Sequence, residues 1–399
     1  MISGDVMRKG AGFLSVCLVA AVFSCGGGGG GSSSNNSGGS TGSNTQTRTS
    51  NPQGFTPTPP PDSTPIPSPV VVPPGGDIGQ TAKRLPPGST IFLSAGQYPA
   101  FTLSGLTDIT LIADVAAVVN PAGQQGPVVV NGAALTPAIQ ISDSSGITLN
   151  GLTITGGLGS GISIANSPGT IVRNCIVDGN HIAATDGVLV SASVNVLIFN
   201  NLIFKNSGNG IHVIGGGNVQ LINNTVSENQ LIGLQIGDNG APTDAFVRNN
   251  IVDSNKQGGI AAAFGSVLDA DYNLYNANVH TYLGTAVKGA NDLSGDPQFT
   301  FVGPSDVQGF YLTQISPAVD AGDPSTDTNI VELLTSCGGD GCLDELDLTT
   351  QVDNSLDVEP VDIGYHHSIV LPLPTPTRVP VTRPPRTATP TRTPTRAPT

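Results

Sequence analysis

The chain has 399 residues, with 52 glycines, 32 prolines, no tryptophan and a formal net charge of −14. Glycine and proline crowd the two ends while the middle is rich in Val, Ile, Asn and Thr, which excludes one globular domain over the whole length. Between residues 77 and 370, seven basic residues face 27 acidic ones, a net charge of −20, which sets the surface against nucleic acid and toward neutral or cationic partners.

Residues 1–24 read as an export leader. Arg8 and Lys9 precede an apolar run over residues 10–23, too short to cross a bilayer as a mature helix. Met7, directly before the basic pair, is an alternative start. The leader ends Val22-Phe23-Ser24-Cys25, which resembles the bacterial lipobox and implies a lipid on Cys25. Residues 25–76 form a linker, first Gly/Ser/Asn/Thr-rich and then proline-rich. Neither part can build a core, and the stiff part extends roughly 3 Å per residue. The expectation is an exported protein held outside the cytoplasm by that lipid alone.

A six-residue pattern then recurs: Val172-Arg-Asn-Cys-Ile-Val177, Ile198-Phe-Asn-Asn-Leu-Ile203, Leu221-Ile-Asn-Asn-Thr-Val226 and Val247-Arg-Asn-Asn-Ile-Val252, with Leu149–Ile154 before it and Ala270–Tyr275 after it. The last residues of these units step by 23, 26, 23, 26 and 23. A coil of 23 residues with an extra triplet every second turn accounts for this, the triplets falling in His181–Asp186 and around Asn239–Asp244. Each unit later carries Gly plus an aliphatic residue, as at Gly210-Ile211 and Gly233-Leu234. Three short strands per coil follow, stacked about 4.8 Å apart in parallel sheets around aliphatic columns such as Val177, Ile203, Val226 and Val252. Asn201, Asn224, Asn250 and Asn273 are expected to occupy a left-handed corner and to bond rung to rung as a ladder, with Asn180, Asn206, Asn229 and Asn255 as a second ladder.

On these residues the segment from about 80 to 276 resembles the pectin-lyase-like right-handed parallel β-helix family. The predicted fold is an all-β solenoid of 23–26 residues per coil over residues 77–292. The entry over residues 85–98 is similar to the first coil of that family, which a short helix near residues 81–85 would cap. Residues 293–370 form an extension whose Asp296-Pro-Gln-Phe299, Ser316–Pro324 and Asp362-Ile-Gly-Tyr365 resemble the choice-of-anchor Q segment of bacterial surface proteins. That resemblance implies a surface location and says nothing of a reaction. Residues 371–399 repeat Thr-Pro-Thr-Arg units without an acid and are expected to be a disordered stalk or a basic arm.

With Cys17 lost in the leader and Cys25 acylated, Cys175, Cys337 and Cys342 remain. The short glycine-rich loop between Cys337 and Cys342 suits a local disulfide in an oxidising compartment, with metal binding as the alternative; Cys175 is then a buried free thiol. No metal site or cofactor is otherwise expected.

In the enzymes that the chain resembles, substrate lies over the first strand of each coil, which here exposes Ser163, Leu189, His212, Gln235 and Ala261. A uronate lyase needs cations and a base, yet Arg173 and Arg248 stand three rungs apart and Lys205 stacks beside Glu228. A glycosidase needs two carboxyls about 5–9.5 Å apart. Asp178 and Asp253 are too distant for that, whereas Glu228 and Asp253 occupy neighbouring rungs. Asp186, His212, Lys205, Glu228 and Asp253 are therefore the catalytic candidates. His181, Asp186, Asn209, His212 and Gln235 are the candidates for substrate binding, with the two inserted triplets as rims. The leading expectation is a monomeric surface module that binds a polysaccharide or another envelope component; the alternative is a polysaccharide lyase or glycoside hydrolase. Outward Ile171, Leu197, Phe199, Ile176, Leu202 and Phe204 make an apolar stripe that residues 299–365 are expected to cover.

Overall fold

The structure, a computed structural model, describes residues 70–113, 127–133, 137–300, 309–326, 348–351, 357 and 360–368. Cys25, Cys337, Cys342, the linker up to residue 69 and the tail from residue 371 lie outside these residues.

The described chain is a right-handed parallel β-helix of about nine turns. One face is a ladder of nine strands, from Gly96–Pro99 through Ile176–Asp178 and Leu202–Phe204 to Leu293–Ser294, all parallel. The other two faces form one hydrogen-bonded sheet, because Ile211–Ile222 runs unbroken around the corner between them, pairing with Ile182–Val194 on one face and Leu197–Phe199 on the other. Three faces thus give two sheets rather than the three that the repeat suggests. The interior fills with the anticipated columns: Val177, Ile203, Val226 and Val252 are in register and fully buried. Cys175 lies in this core as a free thiol, and burial pushes it up to about 12, far from a reactive thiolate at neutral pH.

The solenoid begins earlier than the composition shift at residue 77 suggests, since Val70–Val72 pairs in parallel with Thr90–Leu93. The entry helix also lies earlier, at Ile78–Ala82, because Asp77 is its N-cap and its side chain accepts from the Gln80 N–H at 2.9 Å.

Two asparagine roles that the sequence merges belong to adjacent residues. Left-handed backbone occurs at Asn200, Asn223, Asn249 and Tyr272, each one residue before the position assigned to it, and at Asn174 in the coil below. Asn201, Asn224, Asn250 and Asn273 instead point inward and form the ladder. Asn201 donates to Asn224 Oδ1 at 2.9 Å, Asn224 to Asn250 Oδ1 at 3.0 Å and Asn250 to Asn273 Oδ1 at 2.9 Å. Each of these oxygens also accepts the backbone N–H of the rung before, as Asn224 Oδ1 does from Asn201 at 3.0 Å. Each amide also donates to a carbonyl, as Asn224 does to Ile198 at 2.8 Å. Asp292 closes the upper end by accepting from Asn273. The second ladder runs from Asn180 through Asn206, Asn229 and Asn255 to Asn278. Here too the left-handed residue comes one position earlier, at Lys205, Glu228, Ser254 and Ala277.

The left-handed asparagines turn outward and hold the C-terminal segment. Asn200 Oδ1 accepts from the His366 N–H at 2.6 Å, and the Asn223 amide donates to the Asp362 carbonyl at 2.8 Å. Asn249 Oδ1 accepts from the Asp323 N–H at 2.8 Å. Phe310 and Tyr365 cover Leu202 and Phe204, with the rings of Phe204 and Phe310 5.0 Å apart. The segment therefore lies on one half of the apolar stripe. Leu197 and Phe199 pack instead with Ile222, Ile171 and Phe246, in a cluster that holds no described residue of the extension.

Because Asn224 is satisfied on both sides inside the core, Asn224→Leu strands the Asn201 donors and the Ile198 carbonyl. We expect a loss of about 3 kcal/mol in chemical denaturation. Asn223→Gly keeps the left-handed backbone and loses the bonds to the Asp362 and Gly364 carbonyls and the one accepted from Asn249, so its cost should be smaller, about 1–2 kcal/mol. Equal costs at the two positions would contradict this division of roles.

Candidate functional site

The outer face of the first strand ladder carries the row Ser163, Leu189, His212, Gln235 and Ala261, paired in that order. No lysine or arginine stands in it. Its polar centre is His212, on Ile211–Ile222.

Asp186 reaches His212 because of a bulge. Ile182–Val194 pairs with Leu158–Ala165, and the register slips between Leu158 and Ser160, opposite Ile182 and Asp186. The first extra triplet is thus absorbed into the strand rather than raised as a rim, and such a bulge re-aims the side chain that follows it. Asp186 is nearly buried. Its Oδ1 accepts from the Asn209 N–H at 2.7 Å and the Asn209 amide at 3.0 Å, and its Oδ2 lies 3.0 Å from His212 Nδ1. Gly208 permits this approach: a Cβ there would stand 2.5 Å from Asp186 Oδ1. Asn209 in turn accepts from the Ile232 N–H at 3.1 Å, which ties the cluster to a third coil.

The other ring nitrogen, Nε2, lies 3.3 Å from Asp238 Oδ1. Asp238 opens the second insertion, where it and Ala241 exchange backbone bonds across a tight turn through Asn239 and left-handed Gly240. The sequence offers no reason to choose Asp238, because the extra triplet reads as beginning one residue later. His212 is thus held between two carboxylates from the coils below and above. Its side chain is 14% exposed, whereas that of Asp238 is 47% exposed and faces solvent.

The other candidates do not join this cluster. His181 is exposed at the start of the same stretch, outside the chain of bonds through Asp186, Asn209, His212 and Asp238. The Gln235 amide folds back onto the Gly237 carbonyl at 2.7 Å. Lys205 lies 4.0 Å from Glu228, an exposed pair at a corner beyond the nine-strand face. Asp253 belongs to that face, where it accepts from Ser227 and Asn276. Arg248 is tied to Asp269 at 2.9 Å and Asp323 at 3.4 Å. Asp186, His212, Lys205, Glu228 and Asp253 therefore do not converge in one groove; the inserted triplets bring Asp186 and Asp238 to His212 instead.

A family described as right handed beta helix region matches residues 133–285. No curated protein matches the sequence. Among solved structures, a pectate lyase is similar at 12% identity and a TM-score of 0.45, over 65% of this chain and 92% of its own. An alginate lyase from Paenibacillus sp. is similar at 15% identity and 0.33, over 56% and 99%. A surface adhesin of Streptococcus pneumoniae is similar at 12% identity and 0.32, over 54% and 71%. Likeness at this level concerns the coil and carries no chemistry across.

Burial of His212 disfavours its charged form, but Asp186 and then Asp238 outweigh that and raise it above the ordinary 6.5. A raised value means that the cation is favoured by folding. The resulting stability is fully present below about 6.5 and is lost as pH rises through the raised value. The stability difference between wild type and His212→Gln should therefore be largest in mildly acid buffer and shrink as pH increases, when followed by denaturant melts across that range. A difference that grows with pH would show that the carboxylates do not hold the imidazolium.

Proposed function

We propose that the protein is a polysaccharide-binding module of the cell surface, tethered through lipid on Cys25, which takes a neutral, hydroxyl-rich glycan along the first strand face. The observation that supports this most is the Asp186–His212–Asp238 array beside a row without lysine or arginine. A half-exposed carboxylate, held in place by an imidazole that is itself fixed from below, offers sugar hydroxyls an acceptor. A uronate would meet Asp238 and the net negative surface with no arginine or lysine in the row to neutralise it. A hydrolase reading would use the same two carboxyls. Against it, Asp186 spends both oxygens on Asn209 and His212, so it is a positioning residue and not a free acid or base. The resemblance of residues 296–365 to surface-protein segments agrees with a location outside the cell.

Asp238→Asn is the clean probe, because the side chain is half exposed and the turn is closed by backbone bonds. On a panel of neutral and uronic polysaccharides, the wild type should retain a neutral polymer in affinity electrophoresis. Asp238→Asn should weaken retention at least tenfold with a nearly unchanged melting temperature. New reducing ends or unsaturated uronates would identify an enzyme, and wild-type retention by the variant would remove the site from this face.

The tether has its own test. Cells expressing the wild type should incorporate labelled palmitate into the protein and accumulate its precursor under globomycin. Cys25→Ser should do neither, and labelling of that variant would place the lipid elsewhere.

A further inference from the structure

The extension carries a cluster that the binding row does not use. One oxygen from each of Asp320, Asp357 and Asp362 lies within 4.8 Å of the others. Asp362 is fully buried and Asp357 is 5% exposed, while Asp320 opens the group to solvent.

Hydrogen bonds account for only part of this arrangement. Asp362 Oδ1 accepts from the Asp320 N–H at 2.7 Å, and Thr350 bonds Asp362 Oδ2. Asp357 Oδ2 accepts from the Asp362 N–H at 2.9 Å and lies 2.6 Å from His366 Nε2. Asp357 Oδ1, in contrast, is sealed from solvent and has no hydrogen-bond partner among the described residues. A buried carboxylate oxygen without a donor is costly, and two more carboxylates beside it raise that cost. The imidazole of His366 already meets the other oxygen.

We propose that Asp320, Asp357 and Asp362 bind a hard divalent cation of the calcium class. The donors are all oxygens, and oxygens on opposite sides of a calcium shell lie about 4.6–5.2 Å apart, twice the usual ligand distance of 2.3–2.6 Å. Exposed Asp320 supplies the way in, with water completing the shell. The ion would staple residues 316–323 to Asp357 and residues 360–366; the first stretch is held by Asn249 at the Asp323 backbone, the second by Asn223 and Asn200 at those of Asp362 and His366. Its role is to lock the extension onto the solenoid, which is independent of the glycan reading.

The test uses the full chain, stripped with EGTA, returned to calcium-free buffer and titrated with calcium chloride by calorimetry, with thermal unfolding in parallel. The wild type should take up one ion saturably and melt higher in calcium than in EGTA. Asp320→Asn keeps the backbone bond to Asp362, so it should melt like the wild type in EGTA while binding calcium at least tenfold more weakly. Asp238→Asn, on the other face, should bind calcium like the wild type. No saturable uptake and no calcium-dependent melting in the wild type, or undiminished affinity in Asp320→Asn, would overturn the proposal.

Discussion

Stacking of equivalent corners is the constraint on which the molecule depends. A parallel coil must turn at each corner, and turning buries backbone donors and acceptors that no strand can satisfy. The inward asparagines solve this because a primary amide carries two donors and an acceptor: each receives an N–H from the rung before, gives one bond back to a carbonyl and gives another to the next amide. Satisfaction therefore passes from coil to coil. No coil is complete alone, as expected for a quasi-one-dimensional fold.

The left-handed residue beside each ladder asparagine turns the same corner outward. Where it is asparagine, its amide becomes a handle on the surface, and at three successive rungs that handle grips the returning chain. Where it is charged, as at Lys205 and Glu228, the result is an exposed ion pair. One backbone requirement thus leads to either a docking strip or a solvated corner, depending on the side chain that meets it. The described part of the extension is held by this strip, by its packing on Leu202 and Phe204, and by Leu312, Ala318 and Ile363 against Ile251 and Leu274.

Insertions matter here because the frame is so regular. A coil of 23 residues already closes, so three extra residues must be absorbed locally. One triplet becomes a bulge that aims Asp186 at His212, and the other becomes a tight turn that begins at Asp238. The site is built at the two places where the repeat is broken, on strands whose positions the ladders hold rigid.

The coil length, both asparagine ladders and the aliphatic columns were legible in the sequence. In a solenoid, a period along the chain is also a contact between chains of bonds in space, so recurrence at 23 and 26 residues directly names neighbours. The same 23-residue step separates Asp186 from Asn209, which are bonded across neighbouring coils. Which of two adjacent asparagines is left-handed was not legible, since Asn tolerates both positions and only the inward or outward turn of the side chain separates them. Asp238 escaped for a related reason: its partner is fixed by how a turn closes, not by the period. The meeting of Asp320, Asp357 and Asp362 with the solenoid corner was decided by tertiary structure alone. The extension has no repeat, and its contacts span up to 166 residues, a return path that local pattern does not encode.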